Sequence, residues 1–92
     1  MKITKKEVDG KILLEAQTTR KVVVELPYYS KDSCHYYKIN EKGRTIQVTD
    51  LDDHFGIQDS YQHFALGEIL DVEEIAESEF NAAFERVLNK FN

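Results

Sequence analysis

Asp71-Val72-Glu73-Glu74-Ile75-Ala76-Glu77-Ser78-Glu79-Phe80-Asn81-Ala82-Ala83-Phe84-Glu85-Arg86-Val87-Leu88-Asn89-Lys90-Phe91 is the stretch that decides the fold class. Val72, Ile75, Ala76, Phe80, Ala83, Phe84, Val87, Leu88 and Phe91 recur at steps of three and four. That spacing gathers them on one broad apolar stripe of a helix. Glu73, Glu74, Glu77 and Glu79 crowd its first turns, and Arg86 and Lys90 sit in its last, as the helix dipole favours. Asp71 with Glu74 three residues on has the pattern of a capping box and predicts a start at Val72. A start near Glu77, with Ser78 and Glu79 in the first turn, satisfies the same periodicity. Phe80 and Phe84 are expected to press onto whatever the helix covers.

The residues upstream predict that cover to be a sheet. Asp9-Gly10 tolerates the positive φ angles of a type I′ turn, so Ile3–Val8 and Lys11–Gln17 read as the arms of a hairpin. Ile12, Leu14 and Ala16 share one face of the second arm. Thr18-Thr19-Arg20 leads to a short β-branched strand, Lys21–Leu26, which Pro27 ends because proline has no N–H for a ladder. Tyr28–Ser33 reads as a loop, Cys34–Asn40 as a strand, and Glu41-Lys42-Gly43 as a turn with Gly43 free to take positive φ. Thr45–Thr49 returns with Ile46 and Val48 inward, and Asp50–Gly56 is an acidic loop. Residues 57–70 fit two patterns. Tyr61, His63 and Ala65 alternate as in a strand, whereas Tyr61, Phe64, Ala65 and Ile69 fit a short helix; the aromatic content and Gly67 favour the strand. The expected fold is therefore α+β, an antiparallel sheet of five or six strands in hairpins or a meander, with one C-terminal helix across a face. A small curled barrel closed by that helix is the alternative.

A length of 92 residues accommodates one domain, 1–92, with a core that needs no staples. The single cysteine cannot form an internal disulfide, so a secreted, disulfide-held scaffold is excluded. Val22-Val23-Val24 is typical of the longest apolar runs and far short of a membrane span. No apolar signal core follows Met1-Lys2-Ile3-Thr4-Lys5-Lys6-Glu7, which predicts a cytoplasmic chain.

Charge divides the chain. The net charge is −5, but residues 1–44 carry +4 and residues 45–92 carry −9, with no Lys or Arg from Thr45 to Glu85. A surface bearing Asp50, Asp52, Asp53, Asp59, Glu73, Glu74 and Glu77 without counter-charges would project a negative field and steer a basic partner. Glu68, Asp71 and Glu79 belong to the same acidic segment. Tyr28-Tyr29 and Tyr36-Tyr37 flank Ser30-Lys31-Asp32-Ser33, and tyrosine offers large contact area at low entropic cost. One ring of each doublet is expected to face outward, with Tyr29 and Tyr37 at the partner surface.

Chemical motifs are sparse. Cys34-His35 resembles a nucleophile and its base, but neighbours on a strand point to opposite faces, so a structural cysteine is expected. Asp50, Asp52, Asp53, His54 and His63 could converge on a divalent cation, although neither the calcium-loop nor the zinc spacing is present. There is no glycine-rich phosphate loop, no paired CxxC and no Ser-His-Asp spacing. The function expected is a small acidic, non-enzymatic module that binds a protein partner without a cofactor or metal, in the style of bacterial or phage accessory proteins. Its state is a monomer, or a homodimer through a sheet edge. Lys5, Lys6, Lys11 and Lys31 with Tyr29 and Tyr37 would instead suit single-stranded nucleic acid, a weaker reading at net charge −5. Metal-dependent activity at the Asp/His loop is a further alternative.

Overall fold

The computed structural model of the protein describes residues 2–17, 21–68 and 70–91. β1 (Lys2–Val8) and β2 (Lys11–Gln17) form the hairpin expected around Asp9-Gly10, whose φ angles are 52° and 77°. Positive φ at both turn residues is the type I′ signature. β3 (Lys21–Leu26) lies antiparallel to β2. The Thr18-Thr19-Arg20 connection lies outside the described residues.

Three boundaries differ from the sequence reading, each for a physical reason. Tyr28–Ser33 is not all loop: β4 (Tyr28–Lys31) is a strand, because its alternating side chains find a packed layer on each side. The loop shrinks to a turn held by Asp32, whose Oδ1 accepts the N–H groups of Cys34 and His35 at 2.8 and 2.7 Å. β5 (His35–Ile39) and β6 (Thr45–Asp50) follow. Asp50–Gly56 likewise narrows, since β7 (Phe55–Ser60) begins at Phe55 and pairs with β6 from Asp50 to Thr45. The strand expected over 57–70 stops at Ser60. The short-helix alternative is what forms, as α1 (Gln62–Ala65). Ala65 is buried, its carbonyl accepts Ser30 Oγ at 2.7 Å, and Gln62 Nε2 donates to the Gly43 carbonyl at 2.7 Å. Gly67, at φ 87°, ends the helix in the left-handed conformation that a β-carbon would oppose.

The last helix, α2 (Glu77–Lys90), takes the later of the two expected starts. Its N-cap is Ala76, without a side-chain cap. Glu73 and Glu74 are drawn instead into β8 (Glu73–Glu74), which pairs with Lys31 and Ser30 of β4.

The α+β class and the antiparallel pairing are as expected, but the strands form two sheets rather than one sheet or a closed barrel. Their orders are β1-β2-β3 and β7-β6-β5-β4-β8. The five-stranded sheet is the middle of three layers. Its period of two sends Tyr28, Tyr37 and Ile39 toward Leu14, Ala16 and Leu26 of the small sheet and toward Ala65 and Leu66. The alternate residues Tyr29, Tyr36, Ile46 and Val48 face α2, where Phe80, Ala83 and Val87 are buried. Phe84 packs on the rim of that cluster rather than in it. Among the described residues, no helix is long and apolar enough to cross a membrane.

Candidate partner-binding surface

β7 and β8 are the opposite edges of the five-stranded sheet. The acidic segment is therefore split. Asp52, Asp53 and Asp59 lie at the β7 edge, Glu73, Glu74 and Glu77 lie at the β8 edge and the start of α2, and Asp50, at the end of β6, lines one open cleft together with Asp71 and Glu73. Cations reach both groups. Arg44 pairs with Asp59 at 2.7 Å, and Lys31 pairs with Glu79 at 2.8 Å and Glu73 at 3.5 Å. The Glu79 hydrogen bond raises the Lys31 pKa despite the opposing effect of burial. Glu77 accepts the Tyr29 hydroxyl at 2.6 Å.

The β7 edge has a second property that the β8 edge lacks. Asp50, at the end of β6, has a side chain only 12% exposed and accepts Arg86 Nε at 2.8 Å and Lys90 Nζ at 3.1 Å. The Arg86 hydrogen bond does most to hold its carboxyl below the usual range; burial opposes this, and Lys90 adds to it. Lys90 Nζ also donates to the Leu51 carbonyl at 3.1 Å and lies 5.3 Å from the centre of the Phe55 ring. Phe55 meets Phe91 edge-on, with ring centres 5.4 Å apart. One carboxylate thus locks the β6–β7 turn onto the last turns of α2.

That lock uses both cations of α2 and leaves apolar side chains unburied. Leu51 is 38% exposed, Leu88 41% and Phe91 62%. Leu88 and Phe91, three apart, neighbour each other on the helix. Further along the same seam Ile46, Ile57 and Phe84 line a shallow groove of about 290 Å³ that reaches Arg44 and Asp59. Apolar side chains thus recur along the seam between β7 and α2, interrupted by Gln58 and by the Asp50–Arg86–Lys90 bridge. Asp59, partly neutralised by Arg44, stands at one end; at the other the 51–54 turn presents the exposed Asp52 and Asp53, for which no ion pair forms among the described residues.

The remaining expected site residues are placed as follows. Tyr29 and Tyr37 are buried, which removes both from any outward surface. Burial, then the Glu77 hydrogen bond, pushes the Tyr29 hydroxyl up to about 12; burial and the bond to Asp32 raise that of Tyr37. Each doublet straddles the middle layer, so both of its rings are packed; the exposed tyrosine is Tyr61. The stacking platform proposed for nucleic acid is therefore absent at Tyr29 and Tyr37, and Lys31 and Lys6 are engaged by Glu79 and Glu15. Among the described residues no three His, Cys, Asp or Glu side chains group as metal ligands, and Asp50 is committed to Arg86 and Lys90.

Cys34 and His35 do fall on different sides of the sheet. Cys34 lines an open cleft of about 550 Å³ with Tyr36 and Asp50, whereas His35 borders a groove of about 310 Å³ with Tyr37 and Gln47. The imidazole Nδ1 lies 3.2 Å from Asp32, so its polar contact is structural.

Leu51, Leu88 and Phe91 were not among the residues expected at the surface. For Leu88 and Phe91 the signal is the width of the helical stripe, which exceeds what one sheet face covers; Leu51, in the turn after β6, carries no such signal. Protein-family models, curated proteins and solved structures were compared with the chain, and none matches.

Proposed function

We propose that this protein is a non-enzymatic binding module that docks a protein partner along the seam between β7 and α2. The observation that carries the reading is the exposure of Leu51, Leu88 and Phe91 around a turn held in place by Asp50. Clustered exposed apolar groups with a charged rim are the common anatomy of a docking surface. Asp52 and Asp53 at one end select a partner whose apolar residues are flanked by Lys or Arg, and speed its approach. In this reading the module works in the cytoplasm as a small accessory protein of bacterial or phage type.

Capture experiments with tagged protein in the native host test it. Phe91→Ser with Leu88→Ser removes the apolar anchor, and loss of buried anchors typically costs about 2 kcal/mol or more, roughly thirtyfold in affinity. Asp52→Lys with Asp53→Lys leaves the anchor but reverses the rim, so capture should fall most at low salt. A partner retained equally by both variants, at low and high salt, rejects the seam as the docking site.

A further inference from the structure

The three-stranded sheet ends in an open edge. No strand pairs with the outer side of β1 among the described residues, and every β1 side chain except Ile3 is exposed. The turn fixes which backbone groups point outward. In a two-residue hairpin the flanking residues, here Val8 and Lys11, exchange hydrogen bonds. Counting back by twos, Lys6, Thr4 and Lys2 bond to β2, and Glu7, Lys5 and Ile3 present free N–H and C=O groups along the edge.

An antiparallel second copy can meet this edge in only a few registers, because opposed residues must both point their backbone groups across the join. Three registers pair five or more strand residues. Centred on Thr4, the join sets Lys2 against Lys6 twice. Centred on Lys5, it sets Lys5 against itself. Centred on Lys6, it sets Lys5 against Glu7 twice and Thr4 against Val8 twice, with one Lys6–Lys6 meeting. Each Lys6 is already engaged by its own Glu15 at 3.2 Å. Opposite charges directly across a strand pair stabilise it and like charges oppose it, so one register is selected.

We infer that β1 is a homodimerisation edge, joined antiparallel about Lys6 so that Lys5 of each copy faces Glu7 of the other. The join makes a continuous six-stranded sheet from two three-stranded ones and covers part of Val8.

Sedimentation equilibrium of the full chain, from micromolar to about 1 mM at low salt, tests this. Wild type should show a concentration-dependent dimer. Lys5→Glu and Glu7→Lys should each weaken it by about tenfold or more, and the double exchange Lys5→Glu/Glu7→Lys should restore it. Both side chains are exposed, and unchanged circular dichroism and melting at dilute concentration verify that the variants fold. A monomer throughout the range, a dimer indifferent to the single reversals, or a double variant that does not recover would each overturn the assignment.

Discussion

Replacing Asp50 by asparagine tests the lock on which the seam depends. The substitution keeps the shape and one acceptor oxygen but removes the charge that Arg86 and Lys90 share. Hydrogen bonds to a charged group contribute about 1.5–3 kcal/mol when shielded from water, and exposed ion pairs only about 0.2–1 kcal/mol. Asp50 is well shielded, but Arg86 is 51% exposed and Lys90 29%, so both bonds are discounted toward the lower range. A combined loss of about 1–2 kcal/mol follows, which in a domain of this size lowers Tm by about 5–15 °C. Urea unfolding at neutral pH measures it, and a double-mutant cycle with Arg86→Gln isolates the pair, with an expected coupling near 1 kcal/mol. The pH dependence has a definite sign. The folded carboxyl titrates below its unfolded value of about 3.9, so the stabilisation is fully present above that pH and disappears as pH falls through the folded value. The gap between wild type and Asp50→Asn should therefore be flat from pH 5 to 8 and close below about pH 4. Amide resonances of residues 51–55 and 88–91 should shift together in the variant. A variant within about 0.3 kcal/mol of wild type, with zero coupling to Arg86, would refute the lock.

Two further predictions concern the layers behind the seam. Phe80→Ala should cost about 3–5 kcal/mol in urea denaturation, because Phe80 is buried against Tyr29 with ring centres 5.7 Å apart; Phe84→Ala should cost less, roughly 1.5–3 kcal/mol, since that ring sits at the rim. Thr45→Val should raise the urea midpoint by about 1 kcal/mol of stability, because the buried Thr45 Oγ1 has no hydrogen-bond partner among the described residues and valine fills the same space without it.

The parts of the fold that were legible in the sequence are those set by local chemistry. The Asp9-Gly10 turn, the period of β2 and the Phe80–Ala83–Val87 part of the α2 stripe each follow from a few adjacent residues, and each is where it is expected; Val72 and Ile75 lie before the helix instead. What the sequence left open was settled by tertiary packing. Tyr28–Lys31 has no alternating polarity, since both faces of β4 are covered, and a strand buried on both sides carries no period of two. The helix starts late because the Glu73–Glu74 backbone pairs with Ser30 and Lys31 of β4, partners more than forty positions away. The same limitation applied to the site. Asp52 and Asp53 are candidates from charge alone, whereas Leu88 and Phe91 read as core because no local feature says where the sheet beneath a helix ends.

The charge division of the chain shows why composition along the sequence is a poor guide to a surface field. Antiparallel pairing brings sequence neighbours together, yet the order β7-β6-β5-β4-β8 sends residues 55–60 and 73–74 to opposite edges of one sheet, with Asp50 of β6 and Glu73 meeting only across an open cleft. Each acidic group then meets cations from elsewhere: Arg44 comes from the turn before β6, Lys31 from β4, and Arg86 and Lys90 from the far end of α2. Paired charges at 3–4 Å cancel beyond a Debye length of about 8 Å, so the −9 of the second half does not act as one field. In the proposed docking, selectivity comes from what pairing leaves over. At the β8 edge Glu73 and Glu79 stand beside Lys31, and water solvates such exposed pairs well. At the β7 edge Asp52 and Asp53, which form no ion pair among the described residues, accompany the exposed Leu51, Leu88 and Phe91, which water solvates poorly. In the proposed docking, burial of leucine and phenylalanine gains free energy by excluding solvent while Asp52 and Asp53 discriminate by charge, Arg86 and Lys90 being already held by Asp50.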